Sequence, residues 1–307
     1  MTGFSLHTFG FPEIRADLGP VRLNLRKGLA LLVYLAEAEG AVARDVVATL
    51  LWPESPAETA RARLRRLLHR IELVLGQPVF ETDRSSVRWS AAVELNVDSQ
   101  LFERACDRGD FETACRLYRA DFLAGFSIPD CPEFEDWAFY RREALRGRLM
   151  HGLERLVQDK TAAGEHFAAT AHARRLVELD PLSEVYGRHL IRSLLLSGDR
   201  SSAERHHAAL TQRLRDELGV APEAATAALM DPTAASLDVV PTTRYVEGAG
   251  VHLAYQTYGS GELDILIMPG FVSHVERVWE HPACRAFLVS LMALGRLVLF
   301  DRRGVGL

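Results

Sequence analysis

Residues 55–76 combine two patterns at the spacing of an α-helix. Apolar side chains recur every third or fourth position and predict one buried face, made of Ala60, Leu64, Leu67, Leu68, Ile71 and Leu75. The opposite face is basic and consists of Arg61, Arg65, Arg66, His69 and Arg70. A helix of this kind needs a core on one side and presents a cationic surface on the other.

Both ends of this helix carry termination signals. Ser55, Pro56 and Glu58 predict a capping box with proline at the first helical position. Gly76 predicts the C-terminal stop. We therefore expect a helix that begins at Pro56 and ends before Gly76.

The elements around the basic helix have the order of a winged helix-turn-helix. Three short extended runs come first, at Ser5–Phe9, Pro12–Ala16 and Val21–Leu25. Two helices follow, at about 26–39 and 43–51. After the basic helix, a β-hairpin is predicted from Val79–Thr82 and Val87–Ser90, with Arg84 in its tip.

The basic face has two interpretations, a solvated helix surface or a surface that contacts DNA. The order of elements favours DNA, because a helix fits the major groove and guanidinium groups bind phosphates or guanine. The candidate DNA-binding residues are Arg61, Arg65, Arg66, His69, Arg70, Arg84 at the hairpin tip, and Arg26 and Lys27 at the start of the first helix. The whole chain has a net charge of -5, but residues 56–76 hold five arginines and two glutamates, a local charge of +3.

Residues 98–230 are predicted to be all-helical and contain a weak repeat. Gly109, Gly164 and Gly198 are each followed by an acidic residue and, five positions later, by alanine. The last two glycines are 34 residues apart, which is the period of tetratricopeptide helix pairs. A plain helical bundle is the alternative. The aromatic residues Phe122, Phe126, Phe134, Trp137, Phe139 and Tyr140 are predicted to form core rather than a ligand pocket.

Motifs for catalysis and cofactors are missing from the sequence. It has no phosphate loop, no dinucleotide fingerprint and no H-E-x-x-H, and its four cysteines are scattered. We therefore expect no catalytic residue, no cofactor and no metal. The sequence also lacks an apolar run of membrane-spanning length and a signal-peptide pattern, so we expect a cytoplasmic protein with no membrane contact.

Ordered motifs across residues 4–230 carry a family resemblance. They are Leu23–Leu32 (LNLRKGLALL), Leu51–Pro53 (LWP), Ala60–Arg70, Asp121–Phe126 (DFLAGF), Phe134–Trp137 (FEDW), Arg141–Glu143 (RRE) and Leu214–Pro222 (LRDELGVAP). Together they resemble activators of the Streptomyces antibiotic regulatory protein class. The resemblance implies a winged helix-turn-helix at 1–97 and a bacterial transcriptional activator domain at 98–230. It also implies that a homodimer or side-by-side pair binds double-stranded promoter DNA and recruits RNA polymerase.

The pattern changes after a predicted linker at 231–241. Strands are expected at Thr243–Val246, Val251–Tyr258, Asp264–Met268 and Arg296–Phe300, with a helix at about 283–294. With Pro269-Gly270-Phe271 and Asp301-Arg302-Arg303-Gly304, residues 242–307 resemble the N-terminal part of an α/β-hydrolase. No G-x-S-x-G nucleophile elbow occurs, so triad hydrolysis is not expected of this chain.

The predicted fold class is mixed and mainly α, with an α+β winged helix, an all-α tetratricopeptide-like domain and a partial α/β-hydrolase-like segment. Three functional hypotheses remain. The favoured one is a sequence-specific transcriptional regulator, an activator by its resemblance. The second is a fragment of a regulator-fused hydrolase, whose C-terminal region is esterase-like or senses a small-molecule effector. The third is an interaction scaffold that does not bind DNA.

Overall fold

The computed structural model describes residues 3–17, 19–230, 243–248, 251–259, 263–268, 274–279 and 294–301, with positions 281, 284, 287, 288, 291 and 292. The chain divides into two compact units, residues 1–179 and 180–307. The first unit holds the winged-helix region and the helices that follow it directly, so the predicted domain boundary at 97/98 lies inside this unit.

The first unit opens with short strands, β1 (Phe4–His7), β2 (Glu13–Ala16) and β3 (Gly19–Pro20). β2 is antiparallel to both of the others. The predicted strand at Val21–Leu25 is wrong. Gly19, with a φ of +121°, turns the chain back onto β2 early, so that the pairing uses residues 19–20 and the strand ends before Val21.

The next elements are α1 (Arg26–Glu37), β4 (Val42–Ala43), α2 (Arg44–Leu51) and α3 (Ala57–Leu75). α1 ends before the predicted residue 39, and the other helices agree closely with the prediction. All the apolar residues predicted for the inner face of α3 are buried. The predicted inner face is therefore confirmed, and it orients the basic helix on its core.

The predicted capping box at the start of α3 is wrong. Pro56 has an extended ψ of 142° and is itself the N-cap, without a side-chain capping bond. Ser55 therefore lies outside the helix, where its hydroxyl accepts a hydrogen bond from Arg63 Nη1 (2.9 Å). The C-terminal stop is confirmed, because Gly76 adopts a left-handed φ of +74°.

The predicted hairpin is present as β5 (Phe80–Thr82) and β6 (Ser86–Trp89). β4 pairs with β6 and places Val42 beside Val87, so the wing gains a strand that the sequence did not predict. A strand of two residues is too short to show the alternation of apolar and polar side chains by which strands are recognised in a sequence. β7 (Leu95–Val97) then pairs in parallel with β1 and returns the chain to the N-terminal sheet.

Helices follow as predicted. The first unit contains α4 (Asp98–Asp107), α5 (Phe111–Leu117), α6 (Pro132–Ala162) and α7 (His166–Leu179). The second contains α8 (Glu184–Leu196), α9 (Arg200–Arg213) and α10 (Ala224–Ala227). None of the helices in the described ranges has the length and hydropathy that crossing a membrane requires.

The repeat glycines mark reversals between successive helices. Gly109, Gly164 and Gly198 have left-handed φ values of +73°, +76° and +82°. Glycine adopts this conformation without the steric cost that a Cβ would bring. Asp110 and Asp199, which follow two of them, cap the next helix by accepting a hydrogen bond from the N–H three residues later. Assignment to the tetratricopeptide class stays a prediction.

The aromatic cluster forms core only in part. Its buried members are Phe122, Phe126 and Phe134. Phe139 and Tyr140 are 52% and 72% exposed, so their prediction as core residues is wrong. They lie on the outward face of α6, whose inward face carries Phe134 and Ala138.

In the second unit, the described residues beyond 242 form β8 (Arg244–Gly248), β9 (Val251–Tyr258), β10 (Asp264–Ile267) and β11 (Arg296–Phe300). β8, β9 and β11 are antiparallel in that order, and β10 pairs with β11 in parallel. The four predicted strands are therefore present. The linker at 231–241, Pro269-Gly270-Phe271 and residues 302–304 lie outside the described residues, as does much of the predicted helix. The hydrolase-like assignment stays a prediction.

Arg141 of α6 bridges two carboxylates from other helices. Its guanidinium donates to Glu37 at the end of α1 (2.7 Å) and to both oxygens of Glu103 in α4 (2.8 and 2.6 Å). The Ser99 hydroxyl also donates to Glu37, whose side chain is only 3% exposed. Burial raises the pKa of Glu37, and the positive charge of Arg141 opposes that shift. The ion triad thus joins α1 to α4 and α6.

We expect Arg141→Met to lower the free energy of unfolding by about 3 kcal/mol, because it leaves Glu37 buried without its cation. The pKa of Glu37 is raised on folding, so the stability linked to this carboxyl is complete below its unfolded pKa and declines as pH rises through the folded value. Removing Arg141 raises that pKa further. The loss should therefore be larger at about pH 8 than at about pH 5 in urea unfolding.

Arg155→Met is the matched control, since Arg155 lies on the same helix, is half exposed and pairs with Asp159. Its effect should stay within about 0.5 kcal/mol. Equal losses in the two variants would contradict a special role for Arg141.

Candidate nucleic-acid interface

α3 presents its basic residues to solvent. The predicted members of its outer face are all exposed, namely Arg61, Arg65, Arg66, His69 and Arg70. The packing of Leu64 and Ile71, both 0% exposed, fixes the rotation of the helix about its axis. The structure thus displays the predicted cationic face, and its contact with DNA stays a prediction.

A groove of about 560 Å³ lies between the N-terminal half of α3, the start of α2 and the tip of the wing. Its charged lining residues are Arg44, Asp45, Arg61, Arg65, Asp83 and Arg84. The groove therefore brings together Arg61, Arg65 and Arg84, which the sequence analysis had singled out separately. It adds Arg44, which that analysis missed.

Arg44 connects the start of α2 to the wing. Its backbone N–H donates to the Ser85 carbonyl (2.8 Å), and its Nη1 donates to the Asp83 carbonyl (3.1 Å). The signal in the sequence was a basic residue at the beginning of a predicted helix. That signal was not sufficient, because only the unpredicted pairing of β4 with β6 brings Arg44 to the hairpin tip.

The wing tip is closed by one carboxylate. Asp83 accepts hydrogen bonds from the N–H groups of Ser85 and Ser86 (both 2.6 Å) and from their hydroxyls (2.9 and 2.8 Å). These bonds, of which that from the Ser86 hydroxyl has the largest effect, hold the pKa of Asp83 far below its usual range. The closed tip carries Arg84 on its exposed side.

The groove is cationic but partly neutralised. Its four arginines and two aspartates leave a charge of 4 − 2 = +2. Both Nε and Nη2 of Arg61 donate to the carboxylate of Asp45, and this hydrogen bonding lowers the pKa of Asp45. Among the described residues, Arg44, Arg65 and Arg84 have no carboxylate within salt-bridge distance, and the guanidinium of Arg44 donates to a backbone carbonyl. They supply the groove's uncompensated charge.

The remaining predicted residues of α3 lie beyond the groove lining. Arg66, His69 and Arg70 continue the basic face along the helix, and Arg66 Nε donates to the carbonyl of Ala62 (3.4 Å). They extend the cationic surface past the end of the groove.

Arg26 and Lys27 are not part of the groove. The guanidinium of Arg26 lies 5.9 Å from the centroid of the Phe126 ring. Lys27 Nζ donates to the Leu51 carbonyl and to Asp130 Oδ2, both at 2.6 Å. The structure therefore gives Lys27 internal partners, whereas Arg26 is exposed.

An exposed helix beside a projecting loop is an arrangement compatible with duplex DNA. A single exposed helix can enter a major groove about 12 Å wide, and a neighbouring loop can then reach the flanking phosphates. Arg84 lies on such a loop, and Arg65 lies on such a helix. Guanidinium groups form the bidentate bonds with phosphate or guanine that fix position and sequence.

Three comparisons with known proteins indicate the class of protein that this chain resembles. Residues 88–232 match the family described as bacterial transcriptional activator domain. The protein described as "Uncharacterized 47.3 kDa protein in thcA 5'region" of Rhodococcus erythropolis is 30% identical over 192 residues, which are 59% of this chain and 40% of that protein. The structure of Mycobacterium tuberculosis EmbR in complex with a low affinity phosphopeptide superposes with a TM-score of 0.56 at 23% identity, and covers 75% of this chain and 64% of that one.

These comparisons support a transcriptional regulator that contains a bacterial transcriptional activator domain. The family match begins within β6 and includes the helices up to the end of the described helical region. The likeness to EmbR supports the fold. The chain spans less than two thirds of both relatives.

We expect Asp83→Ala to open the wing tip. The N–H groups of Ser85 and Ser86 lose their acceptor, so their exchange with solvent should become several-fold faster in NMR measurements. In the unaltered chain the pKa of Asp83 is lowered on folding, so the stability that its bonds add is complete above its unfolded pKa of about 3.9 and is lost as pH falls through the folded value. Arg84→Ala, which keeps these bonds, should leave the exchange unchanged. Equal exchange in both variants would show that Asp83 does not hold the tip.

Proposed function

We propose that this chain is a transcriptional regulator that binds double-stranded promoter DNA with α3 in the major groove and the wing tip on the flanking backbone. The observation that carries the proposal is the groove in which Arg44, Arg61, Arg65 and Arg84 meet beside the exposed basic face of α3. Sequence positions far apart converge there, which a merely solvated helix face does not require.

Each residue has a role in this proposal. Arg65, Arg66, His69 and Arg70 face the base edges and phosphates of the major groove, since they lie along one exposed side of α3. Arg84 and Arg44 contact phosphates beside the wing. Arg61 joins them when phosphate competes with Asp45, and Arg26 adds a flanking contact. Lys27 is left out because of its internal partners.

The partners in the proposal follow from the resemblance to the antibiotic regulatory proteins. They are RNA polymerase, which an activator recruits, and a second copy of the chain on repeated promoter sites. The C-terminal sheet is proposed as the site of a small-molecule effector. A regulator of this kind works in the cytoplasm, where the chromosome lies. All of these partners depend on the DNA contact.

Arg65→Ala should weaken binding to the DNA upstream of the gene and leave the unfolding midpoint unchanged, because Arg65 is exposed. If Arg65 contacts a phosphate, the slope of log affinity against log salt should fall by about one; if it contacts a base, about 1–3 kcal/mol and sequence preference should be lost. A titration by fluorescence anisotropy across a salt series measures both quantities. Arg192→Ala, an exposed arginine of α8, is the control. Wild-type affinity in both Arg65→Ala and Arg66→Ala would show that the basic face of α3 is only a solvated surface.

Asp45→Ala should tighten DNA binding. The substitution frees Arg61 from its carboxylate and removes a negative charge from the groove. We expect the salt dependence to become steeper by about one unit, since one more cation is available to a phosphate. Asp159→Ala removes an aspartate of equal exposure, 61% against 62%, that also pairs with an arginine, and it should change nothing. Weaker binding by Asp45→Ala would contradict the proposed position of the phosphate backbone.

A further inference from the structure

The turn between α2 and α3 is held at one backbone atom, the carbonyl oxygen of Leu51. A carbonyl in the last turn of a helix has no partner within that helix. Here it accepts from Lys27 Nζ of α1 (2.6 Å) and from Cys131 Sγ, directly before α6 (3.2 Å). Three helix ends therefore meet at this oxygen.

Lys27 has further contacts at the same point. Its ammonium is 2.6 Å from Asp130 Oδ2 and 5.6 Å from the centroid of the Trp52 ring. Its side chain is only 23% exposed. A cation at the C-terminal end of α2 is also favoured by the helix dipole. The ammonium thus ties the first residue of the turn to the segment that begins α6.

Cys131 supplies the second donor from a fully buried position. Burial raises the pKa of its thiol, which keeps the sulfur protonated and able to donate. Its own carbonyl accepts from the N–H groups of Phe134 and Glu135 (both 3.1 Å), so the same residue starts α6. The Leu51 carbonyl and the first turn of α6 are therefore linked through one residue.

α6 continues from this point as a single helix of 31 residues, about 46 Å long. Near its start, Arg142 Nε donates to the Phe122 carbonyl (2.8 Å). Near its end, Lys160 pairs with Glu112 (2.8 Å) and Glu165 (3.1 Å). One long helix thus reaches into the helical region from the turn between α2 and α3 at residues 52–56, which we call the corner.

We propose that the N-terminal end of α6, with Lys27, positions the recognition helix α3 for DNA by holding the Leu51 carbonyl. Neither Lys27 nor Cys131 lines the groove, so both act through the turn at 52–56 rather than on DNA. The DNA readout of this proposal rests on the proposed function. Its structural readout, the protection of the backbone amides around the corner from hydrogen exchange, does not rest on it.

The test compares Lys27→Met with Lys160→Met in the full chain. Both lysines have side chains that are 23% exposed and pair with carboxylates. Lys27 belongs to α1 and contacts the segment directly before α6, whereas Lys160 lies near the C-terminal end of α6. Amide hydrogen exchange over residues 48–60 and DNA affinity across a salt series are measured for each. Cys131→Ala serves as a second variant in case Lys27→Met folds poorly.

Lys27→Met and Cys131→Ala should speed exchange at 48–60 and weaken DNA binding roughly tenfold, within the range of about 5- to 150-fold that coupled sites show. The salt slope should stay at the wild-type value, and Lys160→Met should leave all three readouts unchanged. Unaltered exchange would overturn the proposal. So would a salt slope lower by about one, since it would make Lys27 a direct phosphate contact. If the wild-type chain does not bind DNA, the proposed function fails, while exchange still decides whether α6 holds the corner.

Discussion

The ion pairs of Arg141 with Glu37 and Glu103 are the contacts on which the first unit depends. Arg141 lies in α6, yet its carboxylate partners come from α1 and α4. Because Glu37 is almost fully excluded from water, its charge is tolerated only while these helices stay together. The winged helix and the first helices after it form one compact unit rather than two domains joined by a linker. The basic helix α3 therefore belongs to a compact unit that is larger than the winged helix alone.

Much of the fold could be predicted from the sequence because the long helices bury regular stripes. The inner face of α3 and its C-terminal stop at Gly76 were predicted, since periodicity and glycine chemistry are local properties. The errors have a different origin. Val21–Leu25 resembles a strand in composition, but the early reversal at Gly19 takes its place in the sheet. Phe139 and Tyr140 are aromatic, but their position on α6 faces outward.

The candidate site was predictable only as a set of separate residues. Helical spacing identified Arg61 and Arg65, and the hairpin identified Arg84. Their meeting with Arg44 depends on the pairing of β4 with β6, a tertiary contact without a local pattern. Lys27 shows the opposite case. Its place at a helix start suggested a phosphate contact, but its ammonium binds the Leu51 carbonyl and Asp130 of the same chain. Side chains whose role depends on distant partners are those that a single sequence describes least well.

The carboxylate of Asp45 has a consequence for how such a protein would search a chromosome. Phosphates are the same at every position of a duplex, so a cation that Asp45 already occupies weakens the hold on all sequences alike. If α3 binds DNA as proposed, this shortens the stay at each wrong site while leaving the reading of bases to other side chains. Such a regulator has a lower affinity for non-specific DNA and dissociates from it faster. It would then reach its promoter through many brief encounters rather than a few long ones.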